Sequence, residues 1–127
     1  MKQKLFLILL GSFSLLGCDS GVLWEDPPYE VHWIDTYSNR TLAYNLGEGS
    51  SIGRVEAEVI AVGSNKFYVV AKQRNSSQKT INYFYIDKKK DNNYLNWNET
   101  TQGPFNEKEF SELSRKLKLP SFSKVFN

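Results

Sequence analysis

The sequence predicts an α+β domain: a mainly antiparallel sheet of about five or six strands with one C-terminal helix packed on one face. Three observations carry that reading. Apolar and polar residues alternate in short runs between Tyr29 and Ile86, with turn-forming stretches between the runs. Two of the runs, Phe67–Ala71 and Ile81–Ile86, are apolar on both faces, as strands buried on both sides are. One capped, amphipathic stretch follows Gly103-Pro104 and stops at Pro120.

In chain order, Tyr29 to Thr36 places Tyr29, Val31 and Trp33 opposite Glu30 and His32. Ser38-Asn39-Arg40 reads as a turn, and Thr41 to Leu46 returns with Leu42, Tyr44 and Leu46 on one face, completing a β-hairpin. Gly47 to Gly53 reads as a flexible loop and Val55 to Val62 as the next strand. The turns Gly63-Ser64-Asn65-Lys66 and Asn75-Ser76-Ser77-Gln78 lead into the two central strands. Lys88 to Asn93 reads as a solvated connection, and Tyr94 to Trp97 as a short edge segment.

The helix is the most sharply written element. Asn106 is a good N-cap with Glu109 three residues on, and Phe105 and Phe110 occupy the hydrophobic-staple positions around it. Glu107, Glu109 and Glu112 precede Arg115, Lys116 and Lys118, the order that complements the helix dipole. Phe110, Leu113 and Leu117 form the stripe expected to be buried.

The N-terminus has the layout of a secretory leader. Lys2 and Lys4 precede an apolar stretch from Leu5 to Leu16, which Gly11, Ser12 and Ser14 interrupt. A spanning helix needs about 20 consecutive apolar residues, so this stretch is too short to cross a bilayer permanently. It closes on Leu15-Leu16-Gly17-Cys18, an aliphatic residue at −3, a small one at −1, then the only cysteine. That segment resembles the lipobox of bacterial lipoproteins, although Leu16 is not the commonest residue at −2. The resemblance implies diacylglyceryl transfer to the Cys18 sulfur, cleavage after Gly17 and acylation of the new amino group, with palmitate as a typical chain. Asp19 follows; in enterobacterial lipoproteins an aspartate there implies retention at the inner membrane. The expected organisation is a lipoprotein signal peptide at 1–17, a lipidated cysteine and short tether at 18–28, and a single globular domain at 29–127.

The C-terminal half carries a second likeness. Tyr83-Phe84-Tyr85-Ile86-Asp87, Gly103-Pro104-Phe105, Glu109-Phe110 and Leu119-Pro120 together are similar to the pattern of small uncharacterised bacterial lipoproteins. This implies a compartment and an architecture but no chemistry.

Composition narrows the function. Processing removes two of the 16 Lys and Arg residues, which leaves them equal in number to the 14 Asp and Glu. The electrostatic footprint of a nucleic-acid binder is then absent. If the single cysteine carries lipid, no intrachain disulfide forms and the domain stands on packing alone.

The candidates for chemistry are few. His32 is the only histidine, and Asp35, three positions along a strand, falls on the opposite face. No spacing of cysteine and histidine matches a metal site, and no cofactor motif is present. Gly47, Gly49 and Gly53 with Arg54 match neither the dinucleotide fingerprint nor the P-loop, because a strand follows. Glu56 and Glu58 would share one strand face about 7 Å apart, near the carboxylate spacing of inverting glycosidases. With Phe84, Ile86, Phe67 and Val69 turned to the helix, Tyr68, Tyr83 and Tyr85 fall on the opposite face, together with Val70 and Ile81. There either the Tyr29–Leu46 hairpin buries them or they form an exposed surface for a partner. The resulting expectation is a non-enzymatic, lipid-anchored cell-envelope protein that binds an envelope protein in an immunity-like or accessory role. The alternatives are a small cell-wall hydrolase using Glu56 and Glu58, and a glycan-binding module using the tyrosines.

Overall fold

The computed structural model describes residues 20–127, and among them nine strands form two antiparallel sheets. The first is a meander of β1 (Ser20–Asp26), β2 (Tyr29–Ile34), β3 (Arg40–Gly47) and β4 (Ser50–Val55), each strand beside the one before it. The second contains β5 (Val59–Ser64), β6 (Tyr68–Asn75), β7 (Thr80–Asp87), β8 (Thr101–Phe105) and β9 (Lys124–Val125), in the order β8-β7-β6-β5-β9. Two short helices accompany them, α1 (Trp97–Thr100) and α2 (Glu107–Leu117).

This corrects the α+β expectation of a mainly antiparallel sheet of about five or six strands with one C-terminal helix packed on one face. The protein is mostly β, and the layer facing most of the second sheet's core is the first sheet. Three strands fell in segments whose composition disguised them. The stretch taken as a tether contains β1, which pairs with β2 from Ser20↔Ile34 to Asp26↔Tyr29. The Gly- and Ser-rich stretch taken as a loop contains β4, paired along β3. β8 contains Gly103-Pro104, a pair that reads as a breaker. These are edge or near-edge strands with few buried side chains, so their alternation is weak.

The hairpin of β2 and β3 forms as its pattern dictates. Tyr29 pairs with Tyr44 and Val31 with Leu42, which sends Tyr29, Val31 and Leu42 into the interior. Its continuation into β4 turns at Gly47-Glu48-Gly49, all three with positive φ, so glycine at the first and third positions relieves the strain there. From the other side come Val59, Val62, Val69, Ala71, Ile86 and Phe126, making one core between the sheets. Each valine, isoleucine or phenylalanine side chain so removed from water contributes about 1.5–3 kcal/mol.

The opposite face of the second sheet packs on α2. Val70, Tyr83 and Phe110 form the second core, with Tyr85, Phe105, Leu119 and Phe122 packed around them. The capping box of α2 is realised in full. Glu109 N donates to Asn106 Oδ1 at 2.8 Å, and Asn106 N donates to Glu109 Oε1 at 2.9 Å. The helix ends where Lys118 turns left-handed, ahead of Pro120. Phe110 is its one buried residue, whereas Leu113 and Leu117 are half-buried.

The chain then crosses back over β5. Ser123 N donates to Val62 O and Phe126 N to Ile60 O, which sets β9 as an edge strand. Gly63 permits the crossing, since a Cβ there would run into the Ser121 carbonyl and come within 3.2 Å of Phe122 Cα. No helix among the described residues is long and apolar enough to cross a membrane. The leader, Cys18 and Asp19 lie outside the described residues.

Candidate functional site

Strand alternation builds a sheltered cleft at one end of the sandwich. Along β6 and β7, Val69, Ala71, Phe84 and Ile86 point between the sheets and are followed, on the same face, by Gln73, Asn75 and Asn82. The interior therefore turns from hydrocarbon to amide as it approaches the open end. β4, α1 and the end of β8 close the sides and leave a cavity of about 360 Å³. That volume falls within the range of small-ligand pockets.

The amides hold one another in place. Asn82 Nδ2 donates to Gln73 Oε1 at 3.0 Å, and Gln73 Nε2 donates to the Glu56 carbonyl at 3.0 Å. Gln73 is nearly buried, while Asn82 is half-buried and Asn75 reaches Gln78 at 3.4 Å nearer the mouth. An amide offers two donors and an acceptor with two lone pairs, so this row can bind hydroxyls or peptide groups without a net charge. Ile52, Phe84 and Pro104 supply apolar wall, and Trp97 stands at the rim with 57% of its surface exposed. A large aromatic ring left in water beside a polar cleft is the arrangement that binding hot spots use.

A buried ion pair backs the wall. Arg54 leaves β4 and meets Asp91, which follows the 3₁₀ turn Lys88–Lys90, and neither side chain exposes any surface. Tyr29 donates its hydroxyl to the same carboxylate, and the Tyr44 ring lies 5.2 Å from the guanidinium carbon. Burial, the bond to Asp91 and the nearby negative charge hold the Tyr29 hydroxyl far above the usual phenol range.

The residues singled out from sequence take other places. Glu56 and Glu58 do not share a strand. β4 ends at Val55 and β5 begins at Val59, so both lie in the link between the sheets. Glu56 is exposed at the cleft, whereas Glu58 accepts from Arg40 Nη2 at 2.9 Å and lies 3.5 Å from Arg74 Nη1. Glu58 is thus occupied by two guanidiniums and is not free to face a substrate in the cleft.

The tyrosine face is also inverted relative to expectation, since it is the side that α2 covers. Tyr83 is buried and stacks on Phe110 with ring centroids 5.0 Å apart, and Tyr85 stacks on Phe105 at 6.0 Å. Tyr68 meets Tyr85 edge-on at 5.9 Å. Burial, then the neighbouring Tyr68 and Asp87, push the Tyr85 hydroxyl up. These rings are packing, and Phe67 is the exposed one. His32 is held by Glu30 at 2.9 Å on the outer side of the first sheet, and Glu30 also accepts from Asn45 at 2.7 Å. Asp35 sits in the turn after β2, apart from them.

Sequence reasoning passed over Gln73, Asn82 and Trp97. The available signal was the change from apolar to amide residues on one face of two paired strands.

A family model described as a protein of unknown function, DUF3997, matches residues 28–124. The chain belongs to that family. The DUF3997 match takes in the turn into β2 and every element from there through the start of β9, and with them all of the cleft. No curated protein and no solved structure matches the chain.

Proposed function

We propose that this DUF3997 protein is a non-enzymatic, lipid-anchored component of the bacterial cell envelope that captures another envelope component in the cleft beside Trp97. The anchor rests on the resemblance of Leu15-Leu16-Gly17-Cys18 to a lipobox. Two or more acyl chains give stable attachment where one is marginal. Asp19 favours the periplasmic face of the inner membrane. Cys18→Ala would then shift the protein from the membrane fraction to the soluble one, and unchanged fractionation and mobility would sink the anchor.

The capture reading is carried by one observation, a half-exposed Trp97 beside a cleft whose polar lining is mainly amide. A partner protein's exposed segment, in an immunity-like or accessory relationship, satisfies such amides through its own peptide groups. A photo-cross-linking residue at position 97, used in intact cells, should give a discrete adduct of one partner. A residue at the more exposed Tyr94 giving the same adducts would refute a site at the cleft.

A glycan strand is the second reading, favoured by the same ring and amides, because a sugar presents an apolar face and hydroxyls together. Retention of the protein on purified peptidoglycan, lost in Trp97→Ala, separates it from a protein partner. Hydrolysis by Glu56 and Glu58 draws less support, since Arg40 and Arg74 bind Glu58 and the two acids lie outside any shared strand face.

A further inference from the structure

Ser20, the first described residue, already pairs with Ile34 and follows Cys18 by two positions. Two extended residues reach at most about 7 Å. A lipid on Cys18 therefore leaves almost no leash, and the end of the first sheet that carries Ser20 must lie at the bilayer surface. That end is identifiable from the register. Ser20 pairs with Ile34, Val22 pairs with His32, and the turn after Ile34 carries Tyr37.

Three of its side chains are exposed apolar ones: Val22 at 52%, Ile34 at 50% and Tyr37 at 43%. Val22 and Ile34 also line one shallow depression with Ser20 and Trp33, so they are neighbours and not scattered residues. Single exposed apolar residues are ordinary on a protein surface. A group of them at the one end that the anchor holds against lipid calls for a reason. We infer that Val22, Ile34 and Tyr37 dock this end of the first sheet into the headgroup region of the membrane, fixing how the domain stands on it.

Aromatic rings with a polar tip favour that depth, which suits Tyr37. The charges at this end point to the lipid class. Asp35 is exposed in the same turn, while the Arg40 guanidinium is buried against Val59 O, Tyr37 O and Glu58. Arg74, half-exposed beside Ser38 and Asn39, shares Glu58 with Arg40, so this end carries no excess of cations and fits a zwitterionic surface better than an anionic one. The contact also adds a second, reversible signal to the covalent one. This inference rests on the lipidation of Cys18 proposed above.

The test uses the full lipidated protein in phosphatidylcholine vesicles, with a nitroxide label on Ile34→Cys or, as a control, on Tyr94→Cys. Cys18 is blocked by its lipid, so only the introduced thiol reacts. Tyr94 is 86% exposed and lies outside the patch. The label at 34 should collide several-fold less often with a water-soluble nickel reagent, and more often with oxygen, than the label at 94. Circular dichroism of each labelled protein confirms the fold. Equal accessibility at 34 and 94 in protein that sediments with vesicles would overturn the docking and leave the anchor standing. Protein that stays in the supernatant would overturn both. Equal protection of position 34 in the lipid-free Cys18→Ser protein would assign the patch to a second copy of the chain and overturn the docking.

Discussion

Arg54 grips Asp91 along one edge of its guanidinium: Nη2 donates to Oδ1 at 2.8 Å and Nε donates to Oδ2 at 3.0 Å. The pair joins the last strand of the first sheet to the connection that leaves the second, and Arg54 also donates to the Asn92 and Gly53 carbonyls. Every buried side-chain polar atom among the described residues has a partner. A buried ion pair of this kind gains little over a well-packed apolar substitute, but half of it is costly. Asp91→Ala should therefore destabilise the fold by about 3–5 kcal/mol in urea unfolding. Arg54→Met combined with Asp91→Leu in a Tyr29→Phe background, where no hydroxyl is left unpaired, should recover most of that loss. Equal losses in Asp91→Ala alone and in the combined variant would show that the groups are not coupled.

Tyr29 contributes the third member of this network. Its hydroxyl proton bonds Asp91, so Tyr29→Phe should cost about 1.5–3 kcal/mol, the range for hydrogen bonds to charged groups. Its raised pKa also fixes a sign. The unfolded chain loses the phenol proton near pH 10 while the folded chain keeps it, so above that pH the unfolded state binds fewer protons. The contribution is complete below pH 10 and declines as the pH rises further. Unfolding curves at pH 9 and pH 11 should show a smaller loss for Tyr29→Phe than for the parent protein. Identical losses would place the alkaline sensitivity elsewhere.

Asn106 caps α2, and Asn106→Ala removes one side of a reciprocal box. The expected cost is about 1 kcal/mol. Since α2 covers Tyr83 and Tyr85, the same variant should raise the exposure of those rings, read as increased tyrosine quenching by iodide. A cost with no change in quenching would mean that the helix stays docked uncapped.

Trp97→Ala and Asn82→Ala test the cleft. Trp97 is largely in solvent, so its loss should change stability by less than about 0.5 kcal/mol while removing partner capture. Asn82→Ala also frees Gln73 Oε1 and should weaken capture with a modest stability cost of about 1 kcal/mol. Capture retained by both variants would move the binding site away from this cleft.

Elements whose determinants lie close together in sequence were legible. Asn106 and Glu109 are three residues apart, and the capping box forms as written. The β2–β3 hairpin likewise follows from alternation around one turn. What failed was the assignment of layers. β6 and β7 are apolar on both faces, so periodicity alone does not say which face meets a sheet and which a helix, and the tyrosine side was taken for the wrong one. Asp91 sits just after three lysines and reads as solvated, because the residue that buries it is on another strand. Glu56 and Glu58 looked paired only while Val55–Val62 was taken as one strand. The cleft needed two sheets to exist, so a single-sheet reading had nowhere to put it.

All four strands of the first sheet end at Val55, before any strand of the second begins, yet Arg54 finds its carboxylate 37 positions further on. The first sheet alone would hold a cation with no counter-ion and would have to keep that edge wet. Closing the sandwich dry therefore needs both halves of the chain, and the two sheets should unfold as one cooperative unit.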